Sequence, residues 1–451
     1  MPKLFGTDGA RGIAVTDLTC ELAMQTGRAA AVVLAKKDGK KAKIIIGKDT
    51  RASSDALEAA VCAGVCSVGA DAELLGFVPM PALAYLVKKY EASAGIMISG
   101  SHTGSDVNGI KIFSSEGRMI TEDQENKIEH LVLEAPQEIK PCPIEDVGRI
   151  NHEEKALDSY IDYIKSAVGA DLSGLKIAVD CANGCASFTA ERIFSELGAE
   201  VSVISASPDG KNINKNCGSS HIGELMEYVV NNGLDCGLAF DGDADRCIAV
   251  DETGDMVDGD KLMAVFMKDF SEKGRLENNT AVVTLMSNHG LFRYAAENGI
   301  TLETSGGRYI LERMLESGCK LGGEHGGHII FLDDSYTGDG QLTGARLLAL
   351  MKEKSLPLSK LAGEMHKLPQ VIVNVRIPKE SREIWKNDLE ITDFIEKQES
   401  ALGEDGRIVV RESEAEPIIK IMVEGKEFVT INDMAVETAT LIKRRCDLIN
   451  K

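Results

Sequence analysis

The sequence predicts an α/β protein of several βαβ units with mostly parallel sheet, closing in a smaller α+β block. Three observations predict it. Short apolar runs of strand length alternate with amphipathic helical stretches through most of the chain. Turn-rich breaks divide that alternation: Pro136, Pro141 and Pro143 crowd into Ala135–Gly148, and a weaker break lies at Leu368–Gln370. The length, 451 residues, suits about three domains, each able to close a core without disulfides or a structural metal.

The elements follow in order. Lys43–Gly47 (KIIIG) reads as a strand, and Ser54–Gly69 as a helix with Leu57, Val61 and Val65 at i+4 steps. Ala94–Ile98 is a second short apolar strand, and Thr121 with Gln124 forms a capping box for a helix reaching about Leu133. After the proline-rich linker a helix is expected near Glu153–Val168. Strands follow at Lys176–Asp180, Val201–Ser205, Gly237–Phe240 and Cys247–Asp251. A third unit starts near Asp258, with strands at Ala281–Met286 and His328–Phe331. Beyond Gln370 the texture changes to strands Val371–Ile377, Arg407–Val410 and Ile418–Val423, with helices near Asp388–Leu402 and Asn432–Cys446. The expected boundaries are 1–146, 147–255, 256–367 and 368–451. The first three blocks share a βα texture that hints at a repeated domain.

Composition narrows the function. Hydrophobic residues make up 43% and charged residues 27%, as in soluble globular proteins. The longest apolar run, Ala29–Ala35, falls far short of a membrane span. A net charge of −21 repels phosphate backbones and argues against nucleic acid as a partner. A small phosphorylated substrate remains compatible, because local cations override the global field at short range. The 11 cysteines include the pairs Cys62/Cys66 and Cys181/Cys185 with three intervening residues. That spacing is not a zinc or redox motif, so they read as reduced core thiols. Met1–Gly6 carries no signal-peptide apolar region, so a cytoplasmic location is the expectation.

Two motifs carry chemistry. Asp241, Asp243 and Asp245 in Phe240-Asp-Gly-Asp-Ala-Asp-Arg246 follow an apolar strand end, where α/β sheets place ligands. Three hard oxygen donors on one short loop suit Mg²⁺. An EF-hand fails because Arg246 stands at its glycine position and Cys247–Val250 reads as a strand; a solvated acidic turn would leave three repelling carboxylates unneutralised. The second motif, Ile98-Ser-Gly-Ser101-His102-Thr-Gly104, also follows a strand. Ser101, beside His102 and near Lys111, offers a nucleophile with proton and charge partners, although a hydrogen-bonded turn fits the loop equally. It is no hydrolase elbow, since Ser99 stands where that motif needs glycine. Weaker loops carry cations or polar tips: Gly6-Thr-Asp-Gly-Ala-Arg11-Gly12, Gly47-Lys-Asp-Thr-Arg51, Ser305-Gly-Gly-Arg308-Tyr309 and Gly322-Gly-Glu324-His325-Gly-Gly-His328. No Walker or dinucleotide fingerprint occurs.

Taken in this order, from the loop at Gly6 to Arg411-Glu-Ser-Glu-Ala-Glu-Pro417, the motifs resemble the α-D-phosphohexomutase family over essentially the whole chain. The resemblance implies four domains around a central cleft: three related mixed-sheet α/β domains and a smaller, mobile C-terminal α+β domain. It implies that Ser101 carries a phosphoryl group. Asp241, Asp243 and Asp245 would hold one Mg²⁺ together with an oxygen on Ser101, while Arg11, His102, Lys111 and Arg246 surround the transferring group. Arg308, Glu324 and His325 would serve the substrate, with Arg411 and Ser413 gripping its distal phosphate. The implied reaction interconverts sugar 6- and 1-phosphates, glucosamine phosphate first among them, with a sugar 1,6-bisphosphate as intermediate and activator. A mutase for another hexose phosphate and a non-catalytic sugar-phosphate binder are the alternatives. A phosphatase with Asp241 as nucleophile would leave the Ser101 and Glu324 loops without roles. The resemblance also allows a homodimer. The chain departs from the family at Gly307, where an aspartate is usual, and at His325-Gly326, where Gln-Ser is usual. It departs again at Glu414, where a glycine is usual. A carboxylate about 5 Å from a phosphate charge, at an effective dielectric near 20, costs roughly 3 kcal/mol unless it turns away.

Overall fold

Ile44, Ile45 and Ile46 show how the first sheet is built. Ile44 and Ile46 pack with helices on one face and Ile45 packs with a helix on the other, so the strand is apolar throughout rather than alternating. The computed structural model describes residues 4–6, 8–35, 41–378, 385–403, 406–412 and 418–449.

The first sheet is formed by β1 (Ala10–Ile13), β2 (Lys43–Lys48), β3 (Asp71–Phe77), β4 (Ala94–Ile98), β5 (Val107–Ser114) and β6 (Ile150–His152) in the order β1-β5-β4-β2-β3-β6. Its centre is parallel, while β5 runs antiparallel to both β4 and β1. Helices α1 (Cys20–Leu34), α2 (Ala52–Ser67) and α4 (Glu122–Glu129) cover one face and α3 (Met80–Lys89) the other. The capping box at Thr121 and Gln124 starts α4.

The second sheet takes β7 (Lys176–Asp180), β8 (Glu200–Ile204), β9 (Cys236–Phe240), β10 (Cys247–Asp251) and β11 (Met256–Val257) in the order β11-β10-β9-β7-β8. Its helices are α5 (Ala156–Val168), α6 (Ala190–Glu196) and α7 (Gly223–Asn232). The third sheet runs β13-β12-β14-β15, from β12 (Thr280–Thr284), β13 (Thr301–Ser305), β14 (Leu321–Gly323) and β15 (Ile329–Phe331). Around it lie α8 (Gly259–Glu272), α9 (His289–Glu297) and α10 (Ile310–Ser317). All three sheets mix parallel and antiparallel pairs.

The next helix crosses between units. α11 (Gly340–Lys354) follows the third sheet in sequence but packs on α5, β9 and β10 of the second. Leu342, Leu347 and Leu348 therefore share one hydrophobic cluster with Ile161, Leu238 and Phe240. α12 (Leu358–Ala362) then packs on α8.

The last unit is an antiparallel sheet β16-β18-β17, made by β16 (Gln370–Arg376), β17 (Arg407–Glu412) and β18 (Ile418–Glu424). It is backed by α13 (Leu389–Leu402) and α14 (Phe428–Ile449) around a core of its own. Among the described residues no helix is long and apolar enough to cross a membrane.

Candidate active site

Strand β4 is buried along its whole length, and it ends where a polar side chain can be presented without being solvated. Ser101 stands three residues beyond that end with φ 51°, a left-handed turn in which Ser99 Oγ accepts from Ser101 N at 2.9 Å. The loop's carbonyls are tied from both sides. Arg51 donates to the carbonyls of Ser101 at 3.2 Å and Thr103 at 2.5 Å, and Asn214 Nδ2 donates to the same two at 2.8 and 2.9 Å. Arg51 is itself buried and paired with Asp49. Ser101 is thus fixed by its neighbours, and its Oγ donates to Asp241 Oδ2 at 2.9 Å.

Asp241, Asp243 and Asp245 occupy the loop joining antiparallel β9 and β10. All three are buried, and one carboxylate oxygen from each lies within 4.8 Å of the others. Lys111, fully buried on β5, reaches across from the first domain to Asp243 Oδ2 at 3.0 Å and pairs within its own domain with Asp8 Oδ1 at 3.1 Å. Burial and the charges of Asp245 and Asp243 push the Asp241 carboxyl far above the usual range. Burial and Asp243 raise Asp245 as well. Burial works the same way on Asp243, but Lys111 outweighs it and holds that carboxyl below its ordinary value. Two mutually repelling carboxyls remain, and Asp243 Oδ1 and Asp245 Oδ1 have no hydrogen-bond partner. This donor set, all oxygen, buried and with two carboxylate oxygens unpartnered, fits a hard divalent cation such as Mg²⁺.

The remaining cations ring this pair of loops. Arg11, on β1, pairs with Asp8. Arg246 places Nε 3.9 Å from Asp245 Oδ1 and Nη2 3.5 Å from Glu324 Oε1. His102 Nδ1 lies 3.3 Å from Ser101 Oγ. Burial, then Arg246 and Arg11, lower its pKa to about 4, so the imidazole is neutral at pH 7. The third domain is laced directly to the acidic loop: Cys247 N donates to Gly327 O at 3.0 Å and Gly340 N to Ala244 O at 3.0 Å. Glu324 is carried to Arg246 by that lacing.

The structure brings Ser101, His102, Lys111, Arg11, Arg246, Glu324 and the three aspartates together. Arg308 is engaged elsewhere: it pairs with Glu125 of α4 and donates to Gly6 O at 2.7 Å, joining the third domain to the first. His325 turns its ring onto Asp260, 3.3 Å away, at the start of α8. Arg411 is exposed near the end of β17 and, among the described residues, makes no ion pair. Ser413 and Glu414 lie outside the described residues. Sequence reasoning missed Asp8, Asp49 and Asn214 as partners of the site. Asp8 and Asp49 sit in loops already singled out for their arginines; Asn214 carried no signal. A cavity of about 690 Å³ lined by Lys43, Lys88, Tyr90 and Tyr336 opens at the amino ends of β2 to β4, away from these groups.

Four family models match the chain in order. They are phosphoglucomutase/phosphomannomutase alpha/beta/alpha domain I over residues 2–138, domain II over 158–254, domain III over 258–368, and the C-terminal domain over 372–441. The phosphoglucosamine mutase of Clostridium acetobutylicum is 49% identical over 450 residues, covering 99% of this chain and 100% of the relative. That of Caldicellulosiruptor bescii is 49% identical over 449 residues, with the same coverage. Among solved structures, a phosphoglucomutase/phosphomannomutase family protein from Burkholderia thailandensis superposes with TM-score 0.81 at 22% identity, over 97% of this chain and 98% of that one. Aspergillus fumigatus N-acetylphosphoglucosamine mutase, in complex with GlcNAc-6P and magnesium, gives TM-score 0.72 at 15% identity, over 98% and 96%; both show a shared fold. On the matches to all four domains and near-half identity from end to end, the chain belongs to the phosphoglucomutase/phosphomannomutase family.

Proposed function

We propose that the protein is an isomerase, a phosphosugar mutase that interconverts glucosamine 6-phosphate and glucosamine 1-phosphate with Ser101 as the phosphoryl carrier. One observation carries this reading: a buried serine hydroxyl donates to the first of three buried aspartates at 2.9 Å. Relatives near half identity that bear the name phosphoglucosamine mutase support the choice of sugar.

Phosphoryl transfer needs positioning and charge neutralisation more than covalent help. In the first half-reaction phospho-Ser101 gives its phosphoryl group to a free hydroxyl of the sugar monophosphate. The Oγ–P bond breaks, a sugar O–P bond forms, and the hydroxyl loses its proton. Ser101 Oγ, with the His102 ring 3.3 Å away on this leaving side, takes up a proton as it departs, which balances the one the sugar hydroxyl gives up. Lys111 keeps its charge, because Asp243 and Asp8 hold its pKa up against burial; with Arg11 and Arg246 it neutralises the moving phosphoryl. The bisphosphate then turns over and returns its other phosphoryl group to Ser101, so no nucleotide is consumed. Glu324 accepts from sugar hydroxyls, and Arg411 and Ser413 hold the phosphate that is not reacting. Mg²⁺ bound by Asp241, Asp243 and Asp245 with a phosphoserine oxygen would add charge stabilisation for the phosphoryl group.

The test is direct. Incubation with glucosamine 6-phosphate, Mg²⁺ and a trace of sugar 1,6-bisphosphate is expected to yield the 1-phosphate, with glucose and mannose 6-phosphates as poorer substrates. Ser101→Ala should abolish turnover, and intact mass should place one phosphoryl group on Ser101. Phosphate release that survives Ser101→Ala would point to a phosphatase and end the reading.

A further inference from the structure

A second tight group of ionisable side chains lies behind the site. Asp258 caps α8, and Asp260 follows within its first turn. Between them, a Cβ on Gly259 would sit 2.0 Å from Glu324 O, so the loop carrying Glu324 lies flat on the helix start, and Gly259 N donates to His325 O at 3.0 Å. From that contact the two neighbouring side chains diverge. Glu324 faces Arg246, while His325 Nδ1 lies 3.3 Å from Asp260 Oδ2 and 3.5 Å from Asp258 Oδ2.

Both aspartates are buried, and Asp260 Oδ1 has no partner. Their other contacts lead to the C-terminal domain. The Lys367 ammonium pairs with Asp258 Oδ2. Asn288 N donates to Asp260 Oδ2 at 2.8 Å. The Asn288 side chain takes the Leu368 N–H at 2.9 Å and gives to the Leu368 carbonyl at 3.0 Å, and Leu368 stands two residues before β16. The charged groups facing His325 are thus Asp258, Asp260 and Lys367: two negatives and one positive. An imidazolium completes neutrality, and the hydrogen bond from the half-exposed ring to Asp260 raises its pKa.

We propose that His325 is a positioning residue: its ring and Lys367 share the Asp258/Asp260 pair, so that the reach of Glu324 toward the sugar and the seating of the C-terminal domain are set together. This rests on the reading of the Glu324 loop as the sugar loop of a phosphosugar mutase. The chain's departure from the usual glutamine at this position puts a titratable group into the tie.

The test compares the full-length chain with His325→Gln, His325→Ala, Lys367→Met and the His325→Ala/Lys367→Met double variant, using glucosamine 6-phosphate. His325→Ala should raise KM about tenfold at pH 6 with a much smaller change in kcat. The KM ratio of His325→Gln to the parent should fall toward one as pH rises and the parent ring loses its proton; substrate ionisation cancels in that ratio. If the carboxylate pair is shared, the double variant raises KM by less than the product of the single effects. Amide exchange across 322–328, measured without substrate, should quicken in His325→Ala and, as pH rises, should accelerate more in the parent than in His325→Gln, which has no ring to titrate. A KM ratio flat with pH, strictly multiplicative effects, or unchanged loop exchange would each overturn the proposal. A parent chain inert toward every hexose phosphate would instead sink the mutase reading, and the exchange measurement would still decide the role of His325.

Discussion

The three aspartates stood out in the sequence as carboxylates too close to remain unneutralised, whereas Ser101 stood out only through the order of the motifs, since a hydrogen-bonded turn fits its loop as well. The pairing of Lys111 with Asp243, 132 residues away, was not legible, because no local pattern links the two. Arg308 shows the converse. Its Gly-Gly-Arg loop has the composition of an anion cradle, yet Glu125 claims the guanidinium from another domain. A titration prediction also belongs to single side chains. Asp339 is buried, with Oδ1 accepting from Tyr160 at 2.8 Å and from Leu342 N at 3.0 Å, and burial raises its pKa from 3.8 to about 7. The folded chain therefore keeps a proton that the unfolded chain loses near pH 4. This contribution to stability is whole below pH 4, declines as pH climbs, and is gone above about pH 7. Asp339→Asn cannot ionise. Its stability relative to the parent should grow between pH 4 and 7 by up to on the order of 4 kcal/mol, as read by denaturant unfolding.

At the scale of elements, strands covered on both faces announce themselves. β4, β7 and β10 begin and end at the residues expected from their apolar runs. β1 and β5 were hidden because function interrupts their pattern: Arg11 lies in one and Asn108 and Lys111 in the other. α11 was missed because a helix buried nearly all round has no polar stripe to give it period. The acidic loop depends on the segment behind it. Gly184 packs on Gly242, where an added Cβ would come 2.4 Å from the Gly242 carbonyl oxygen. Gly184→Ala must therefore push the Asp241–Asp245 loop off Ser101. Turnover is expected to drop about a hundredfold, with weaker Mg²⁺ affinity by calorimetry, whereas thermal unfolding should shift only a few degrees.

For the whole molecule, the four-part division was legible from prolines and texture, but the way the parts are joined was not. The C-terminal unit has a separate core and is attached through Glu424, fully buried, which pairs with Arg407 Nε at 2.6 Å and accepts from His289 N at 3.2 Å. Arg407→Ala strands that carboxylate without its cation, a loss of roughly 3–5 kcal/mol. Calorimetry of this variant should separate a lower, C-terminal transition from the main one; a single unsplit peak at the parent temperature would contradict the docking role. The other junction has the opposite character, since α11 completes the layer beneath β9 and β10 although it is translated some ninety residues after them. On the ribosome, the middle of the protein must therefore wait, that side of its sheet covered by α6 without its other helix, until the stretch ending at Lys354 has cleared the exit tunnel; the nascent chain cannot close domain by domain in the order in which it is made.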